Sequence, residues 1–235
     1  MESINEGFRA AFSLIINLDR ELLNIILLSL RVSGTALIIA TAVGLPVGAL
    51  TGLKKFPGRG LAVSILNTFT GLPPVVVGLF LYLLLSRSGP FGFMVLLYSP
   101  TAMIIAQSIL AFPIVAAISN AAIVSIDPII GYASRSLGAT PFQASLTIIR
   151  EARYGIMSGV ITGFGRVMAE VGAVLMVGGN IAGFTRVMTT TIALETDKGN
   201  FELALALGII LLTLSLIINI ALHSFQKKGA IKAER

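Results

Sequence analysis

Long apolar stretches alternate with short polar ones along the whole chain. Five runs carry no Asp, Glu, Lys or Arg: Val32 to Leu53, Gly60 to Ser86, Ser99 to Ile126, Val171 to Thr185 with the turns before it, and Leu203 to Phe225. Each is at or near the ~20 residues that a helix needs to cross a bilayer. Inside hydrocarbon every backbone N–H and C=O must find its partner within the protein, so helix is the expected form of each run. The pattern predicts an all-α, polytopic membrane helical bundle with about five transmembrane helices. Span one covers Ile25 to Leu53, span two ends at Ser86, span three at Ile126, span four starts near Gly155, and span five ends near Phe225. Ahead of them Phe8, Phe12, Ile15 and Ile16 recur at helical spacing, which predicts an amphipathic interfacial helix within residues 1–24. This start lacks the basic opening and unbroken apolar run of a signal peptide. The chain therefore divides into residues 1–24, a transmembrane domain over 25–225 with a polar loop at about 127–153, and a short basic tail over 226–235.

The spans carry their own punctuation. Gly44, Gly48 and Gly52 repeat every four residues in span one, and Gly155, Gly159 and Gly163 do so in span four. Stripes of small residues let helix backbones approach closely. Pro46 is expected to kink span one. Pro73 and Pro74 remove two successive backbone donors from span two, a break that is tolerable only against other protein or a wet cavity.

Composition agrees. The chain is 55% hydrophobic and 12% charged, where a soluble domain has about 25% charged residues. There is no cysteine, which excludes disulfides, thiol catalysis and thiolate metal sites. The one histidine, His223, stands at the end of the last apolar run and reads as an interfacial residue. Net charge is +6, and its placement orients the chain. Lys54, Lys55 and Arg59, then Arg135, Arg150 and Arg153, then Lys227, Lys228, Lys232 and Arg235 occupy alternate connections. The remaining connections hold Arg87 alone, and Arg186 with Lys198 among Glu195, Asp197 and Glu202. By the positive-inside rule the basic connections and the C-terminus are cytoplasmic. Basic residues gathered at membrane edges predict contact with lipid and not with nucleic acid.

The polar loop is punctuated as two helices. Asp127-Pro128 is a cap followed by proline at the first helical position. Gly138 is a C-terminal stop, and Thr140-Pro141-Phe142-Gln143 has the spacing of a capping box. Phe142, Leu146 and Ile149 mark one apolar face of the second helix. The turn either packs on its own bundle or docks in a groove of a cytoplasmic partner. Arg166 and Glu170 lie deep in span four at i, i+4 spacing, where charges are costly and face protein or water. They either fix helix packing or line a path.

The stretch "YASRSLGATPFQASLTIIREARYGIMSGVITGFGRVMAEVGAV" resembles the cytoplasmic coupling loop and following helix of ABC importer permeases. Gly138 and Ile148 match that family's glycine and isoleucine. Tyr132-Ala133-Ser134 stands where the family has Glu-Ala-Ala, which removes a carboxylate. Arg150-Glu151 stands where it has Leu-Pro, which changes how the loop re-enters the membrane. With "GLPPVVVGL", "LLLSRSGP", "PTAMIIAQ", "EARYG", "GFGRVMAEVGAVLMVGGNIAGFTRVMTT" and "LETDKGNFELALALGIILL", nearly the whole chain from Ile25 is similar to the tungstate permease subgroup, itself related to molybdate permeases.

The resemblance implies a type I ABC importer permease fold in a prokaryotic cell membrane. It also implies a homodimer of this chain, two cytoplasmic ATP-binding subunits, and an extracytoplasmic solute-binding protein. No Gly-Lys-Ser/Thr occurs, so this chain has no P-loop. It is expected to be no enzyme and to hold no cofactor or metal of its own, with ATP and Mg bound by the partner subunit. Arg135, Ser136, Leu137, Gly138, Ala139, Thr140, Pro141 and Phe142 would form the ATPase-coupling turn. Pro73, Pro74, Arg166, Glu170 and Asn180 would line or gate the path. The connection holding Arg186, Glu195 and Asp197 reads as either a solvated loop, a pore lining or a contact for the binding protein. The alternatives are another oxyanion such as molybdate, or a stand-alone secondary transporter. The latter needs acidic or histidine relays within the spans, and Glu170 is the one acid well inside a span. A membrane enzyme is excluded for want of paired free carboxylates, histidines or cysteines in any span.

Overall fold

The computed structural model describes residues 12–13 and 20–233, with side chains through residue 224. The interfacial helix expected over 1–24 falls almost wholly outside the described residues. The helices in chain order are α1 (Arg20–Leu53), α2 (Arg59–Phe69), α3 (Pro74–Leu85), α4 (Pro100–Val124), α5 (Pro128–Ser136), α6 (Pro141–Glu151), α7 (Arg153–Met168), α8 (Gly172–Gly178), α9 (Met188–Asp197) and α10 (Phe201–Ala233), with a 3-10 turn at Gly92–Met94. Among the described residues there is no strand.

Three helices are long and apolar enough to span alone: α1, α4 and α10. The other two expected spans are broken. Helices α2 and α3 meet at 100°, and α7 and α8 at 56°, so the count reaches five when each bent pair is one span. At 1.5 Å per residue, the 34 residues of α1 run about 51 Å, well beyond a ~30 Å hydrocarbon core. The expected boundary at 24–25 falls inside α1, which starts at Arg20, and Pro46 sits within α1 without ending it. The boundary at 225–226 likewise falls inside α10.

Helix α4 is the axis of the bundle. Of its most apolar window, 67% is buried, against 17% for α10. Both glycine stripes face it, and they meet at Val115, which lies against Gly44 and Gly163 alike. A Cβ at Gly48 would lie 2.6 Å from the Ala116 carbonyl oxygen and 2.8 Å from Ser119 Cβ, and one at Gly52 would lie 2.8 Å from Ile123 Cγ2. In the second stripe a Cβ at Gly155 would lie 2.5 Å from Ala122 Cβ, and one at Gly163 would lie 3.0 Å from Val115 Cγ2. The close approach brings polar groups together. Asn120 Nδ2 donates to Thr51 Oγ1 at 2.9 Å, and Ser108 Oγ donates to the Ala36 carbonyl at 3.3 Å.

The contrast between two glycines of α1 makes a direct test. At Gly34 nothing lies within 4 Å of the position that a methyl group would take. Gly34→Ala should hold or raise the unfolding temperature of the detergent-purified protein. Gly48→Val should lower it, by overpacking worth about 1–3 kcal/mol.

Candidate functional site

The two broken spans meet at their breaks, and side chains close the gaps. At the first, Pro73 and Pro74 have no N–H, and Val76 and Val77 N–H both turn to the Pro73 carbonyl. The Leu72 carbonyl is thereby left without a helical donor. Arg166 Nη2 donates to it at 3.2 Å. At the second, α7 ends at Met168, so Glu170 stands past the helix and not on its last turn. Its Oε1 accepts from Ala173 N–H at 2.9 Å and so caps α8. Its carbonyl accepts from Thr189 Oγ1 at 2.8 Å. Gln107 Nε2, from α4, donates to the Val167 carbonyl at 3.1 Å. Arg166 Nη2 and Glu170 Oε2 are 3.8 Å apart, with the Glu170 side chain 2% exposed. The breaks also touch: a Cβ at Gly172 would lie 3.1 Å from Val75 Cγ2 and 3.8 Å from Pro74 Cβ.

The structure therefore gathers Pro73, Pro74, Arg166 and Glu170 in one place. Asn180 is elsewhere, past the end of α8 with φ +49, where its Nδ2 donates to the Thr190 carbonyl at 3.4 Å. Sequence reading missed Gln107 and Thr189. A lone amide in mid-span was a usable signal for Gln107; nothing marked Thr189 out among its neighbours. Among the described residues no cluster of three His, Asp or Glu side chains could hold a metal.

Of the three readings left open for the connection after Asn180, the structure removes the plain solvated loop. It folds into α9, with Met188, Thr190, Thr191 and Glu195 buried. The threonine hydroxyls are committed internally. Thr185 Oγ1 donates to the Gly178 carbonyl at 2.6 Å, Thr190 Oγ1 accepts from Val187 N–H at 3.1 Å, and Thr191 Oγ1 donates to the Val187 carbonyl at 2.7 Å. Ser29 Oγ from α1 accepts from Met188 N–H at 2.8 Å. Glu195 is no free rim carboxylate either. It is 6% exposed and accepts from Lys198 Nζ at 2.8 Å and Asn200 Nδ2 at 3.0 Å. The Lys198 ammonium holds its carboxyl below the usual carboxylate range, against the opposing effect of burial. Asp197 is exposed. Arg186 is half-buried, with Nη1 3.9 Å from Glu21 Oε1.

The loop over 127–153 is a pair of capped helices. Asp127 Oδ1 accepts from Ile129 N–H at 2.9 Å. Helix α5 ends in a Schellman turn: Gly138 N–H donates to the Arg135 carbonyl and Ala139 N–H to the Ser134 carbonyl, with Gly138 at φ +88. The capping box is complete, with Gln143 N–H on Thr140 Oγ1 at 3.3 Å and Thr140 N–H on Gln143 Oε1 at 2.8 Å. Ile148 packs toward Gly131 of α5, and Ala144 is the buried residue of α6. The turn itself projects, with Leu137 89% and Phe142 78% exposed.

Two broken spans around a buried axis, with a capped helical pair projecting at one end, are the architecture of a type I ABC importer permease. The chain superposes with a TM-score of 0.75 on a bacterial ABC transporter involved in the import of the acidic polysaccharide alginate, at 19% identity over 92% of this chain and 83% of that one. Residues 44–228 match the family described as "Binding-protein-dependent transport system inner membrane component". The chain belongs to that family, and it is a multi-pass membrane protein. It is 43% identical to the tungstate uptake system permease protein TupB of Peptoclostridium acidaminophilum, over 97% of this chain and all of that one. It is 31% identical to the molybdenum transport system permease protein ModB of Escherichia coli K12, over 82% of this chain and 88% of that one.

The capping role of Glu170 separates shape from charge. Glu170→Gln keeps an acceptor for Ala173 N–H and should unfold near the wild-type temperature. Glu170→Ala leaves that buried donor unsatisfied, which costs about 1–3 kcal/mol, and should unfold distinctly earlier. Equal unfolding temperatures would remove the capping role.

Proposed function

We propose that this chain is the membrane-spanning subunit of an ATP-driven importer of tungstate, the reading carried by its 43% identity to a tungstate uptake permease along nearly its whole length. Two copies enclose the path. The end bearing Lys54, Lys55 and the 127–153 loop faces the cytoplasm and two ATP-hydrolysing subunits; the end bearing Arg186 faces a solute-binding protein. ATP and Mg belong to the partner subunits. Molybdate is the second reading, favoured by the 31% identity to ModB. Calorimetry of the cognate binding protein with tungstate, molybdate and sulfate distinguishes them.

The projecting turn is the coupling element. Leu137 and Phe142 offer apolar surface and Arg135 a charge, on a corner held by two caps. ATPase closure moves this corner, and α7 follows it. The Arg166–Glu170 pair, at the joined breaks, is the moving gate. Undiminished uptake by Glu170→Gln would overturn that gate.

In proteoliposomes containing the ATPase subunits, tungstate uptake should require both ATP and the binding protein. Uptake without the ATPase subunits would sink the importer reading. Gly138→Val forces a β-branched residue to φ +88, at a cost of about 1–2 kcal/mol. It should abolish uptake while the protein remains in the membrane, as membrane fractionation would show.

A further inference from the structure

At the end of the bundle opposite Lys54 and Lys55, a cavity of about 710 Å³ opens between α1 and the turn over 181–186. Its polar lining is Glu21, Asn24, Arg31 and Arg186, with Leu28 and Phe184 among its apolar walls. We propose that this cavity is the permease's own oxyanion entry site, which receives a doubly charged tetrahedral anion from the binding protein. This rests on the importer reading and its orientation above.

Arg31 carries the argument. It immediately precedes the charge-free run from Val32 to Leu53, a stretch about 33 Å long as helix and so matched to a ~30 Å hydrocarbon core. Arg31 therefore stands at the outer membrane edge, facing a concavity. Its side chain is exposed, and among the described residues it has neither a hydrogen bond nor an ion pair. Turned to a wet cavity, it keeps five donors for a tetrahedral oxyanion.

Arg186 is the fixed counterpart. The N–H groups of Phe184, Thr185 and Arg186 converge on the Ile181 carbonyl at 3.0–3.1 Å, Gly183 takes φ +72, and Thr185 Oγ1 ties the turn to Gly178. Arg186 Nε is buried without a hydrogen-bond partner, and its Nη1 stands 3.9 Å from Glu21, too far for a short charge-assisted bond. Glu195 lines a neighbouring cavity with Glu21 and Arg186, but its short partner is Lys198 at 2.8 Å. The cavity thus sets two guanidiniums against one carboxylate, a net attraction for anions that one carboxylate keeps shallow. Shallow binding suits passage. The Arg166–Glu170 pair offers no such field, because it is neutral and both members hold backbone groups.

The chain has no cysteine, which permits a test after folding. Arg31→Cys is assembled with its ATPase subunits, reconstituted, and supplied with the tungstate-loaded binding protein. Uptake should fall about tenfold or more, the scale of electrostatic focusing. ATPase stimulation by the binding protein should stay within about twofold of wild type. A positively charged methanethiosulfonate reagent should restore uptake, and a neutral one of similar size should not. The wild-type chain under the same reagents controls for thiols on the partners. Wild type failing to transport would count against the importer reading itself. Wild type transporting with Arg31→Cys equally active overturns the entry site alone. So does loss of ATPase stimulation in parallel with uptake, since Arg31 would then dock the binding protein. Equal rescue by the neutral reagent overturns it too.

Discussion

A hydrogen-bond acceptor left open in a membrane has no water to turn to, and this chain opens several on purpose. Among the described residues two helix pairs that count as spans are interrupted, one by Pro73-Pro74 and one between Met168 and Gly172. Each interruption frees backbone groups that would cost several kcal/mol apiece in hydrocarbon. The structure answers with four side chains. Arg166 serves the Leu72 carbonyl, Gln107 the Val167 carbonyl, Thr189 the Glu170 carbonyl, and Glu170 the Ala173 N–H. Because Arg166 crosses from the second break to serve the first, the first break depends on the second. The bend angles of 100° and 56° follow from where the helices stop, and their mutual contact follows from what the stops must satisfy.

That constraint explains which parts of the fold were legible in the sequence. The unbroken spans were, because hydropathy alone decides them. The glycine stripes were, because four-residue spacing has one geometric meaning on a helix, and both stripes do lie on α4. The corner at Gly138 was read almost residue for residue, since caps are local chemistry. The breaks were half legible. Pro73-Pro74 announced the first, but Ala169-Glu170-Val171 contains no helix-breaking residue. There, hydrogen bonding between elements far apart in sequence decides the ending. For the same reason Glu170 read as a residue on a helix face and is instead a cap beyond the helix. The connection after Asn180 left a solvated loop open beside a pore lining and a binding-protein contact because it is polar. Its hydroxyls turned out to be internal acceptors and donors that let α9 pack inward, a use that composition does not distinguish from exposure.

Charge is sorted along the same lines. The charged residues within the bundle are nearly all spent on structure: Arg166 and Glu170 at the breaks, Glu195 on Lys198, and Arg59 Nε on the Thr51 carbonyl at 2.6 Å. Against that background an uncommitted arginine at the membrane edge is informative, where on a soluble protein it would be ordinary. Residues that hold backbone groups are poor ligands, because a ligand would have to replace what they already satisfy.

The projecting corner and the joined breaks are also mechanically linked. Helix α6 ends at Glu151 and α7 begins at Arg153, so only Ala152 separates the docking pair from the helix that carries Arg166. Helix α7 spans 16 residues, about 24 Å, and lies along α4 through glycines instead of interlocking side chains. Under the coupling proposed above, a shift of the corner would be passed along α7. It would arrive at Arg166, where α3, α7 and α8 meet over backbone groups that tolerate only a few arrangements. Under that proposal, a helix ending on such a junction would turn a small push at one face of the membrane into a choice between discrete states, as alternating access requires.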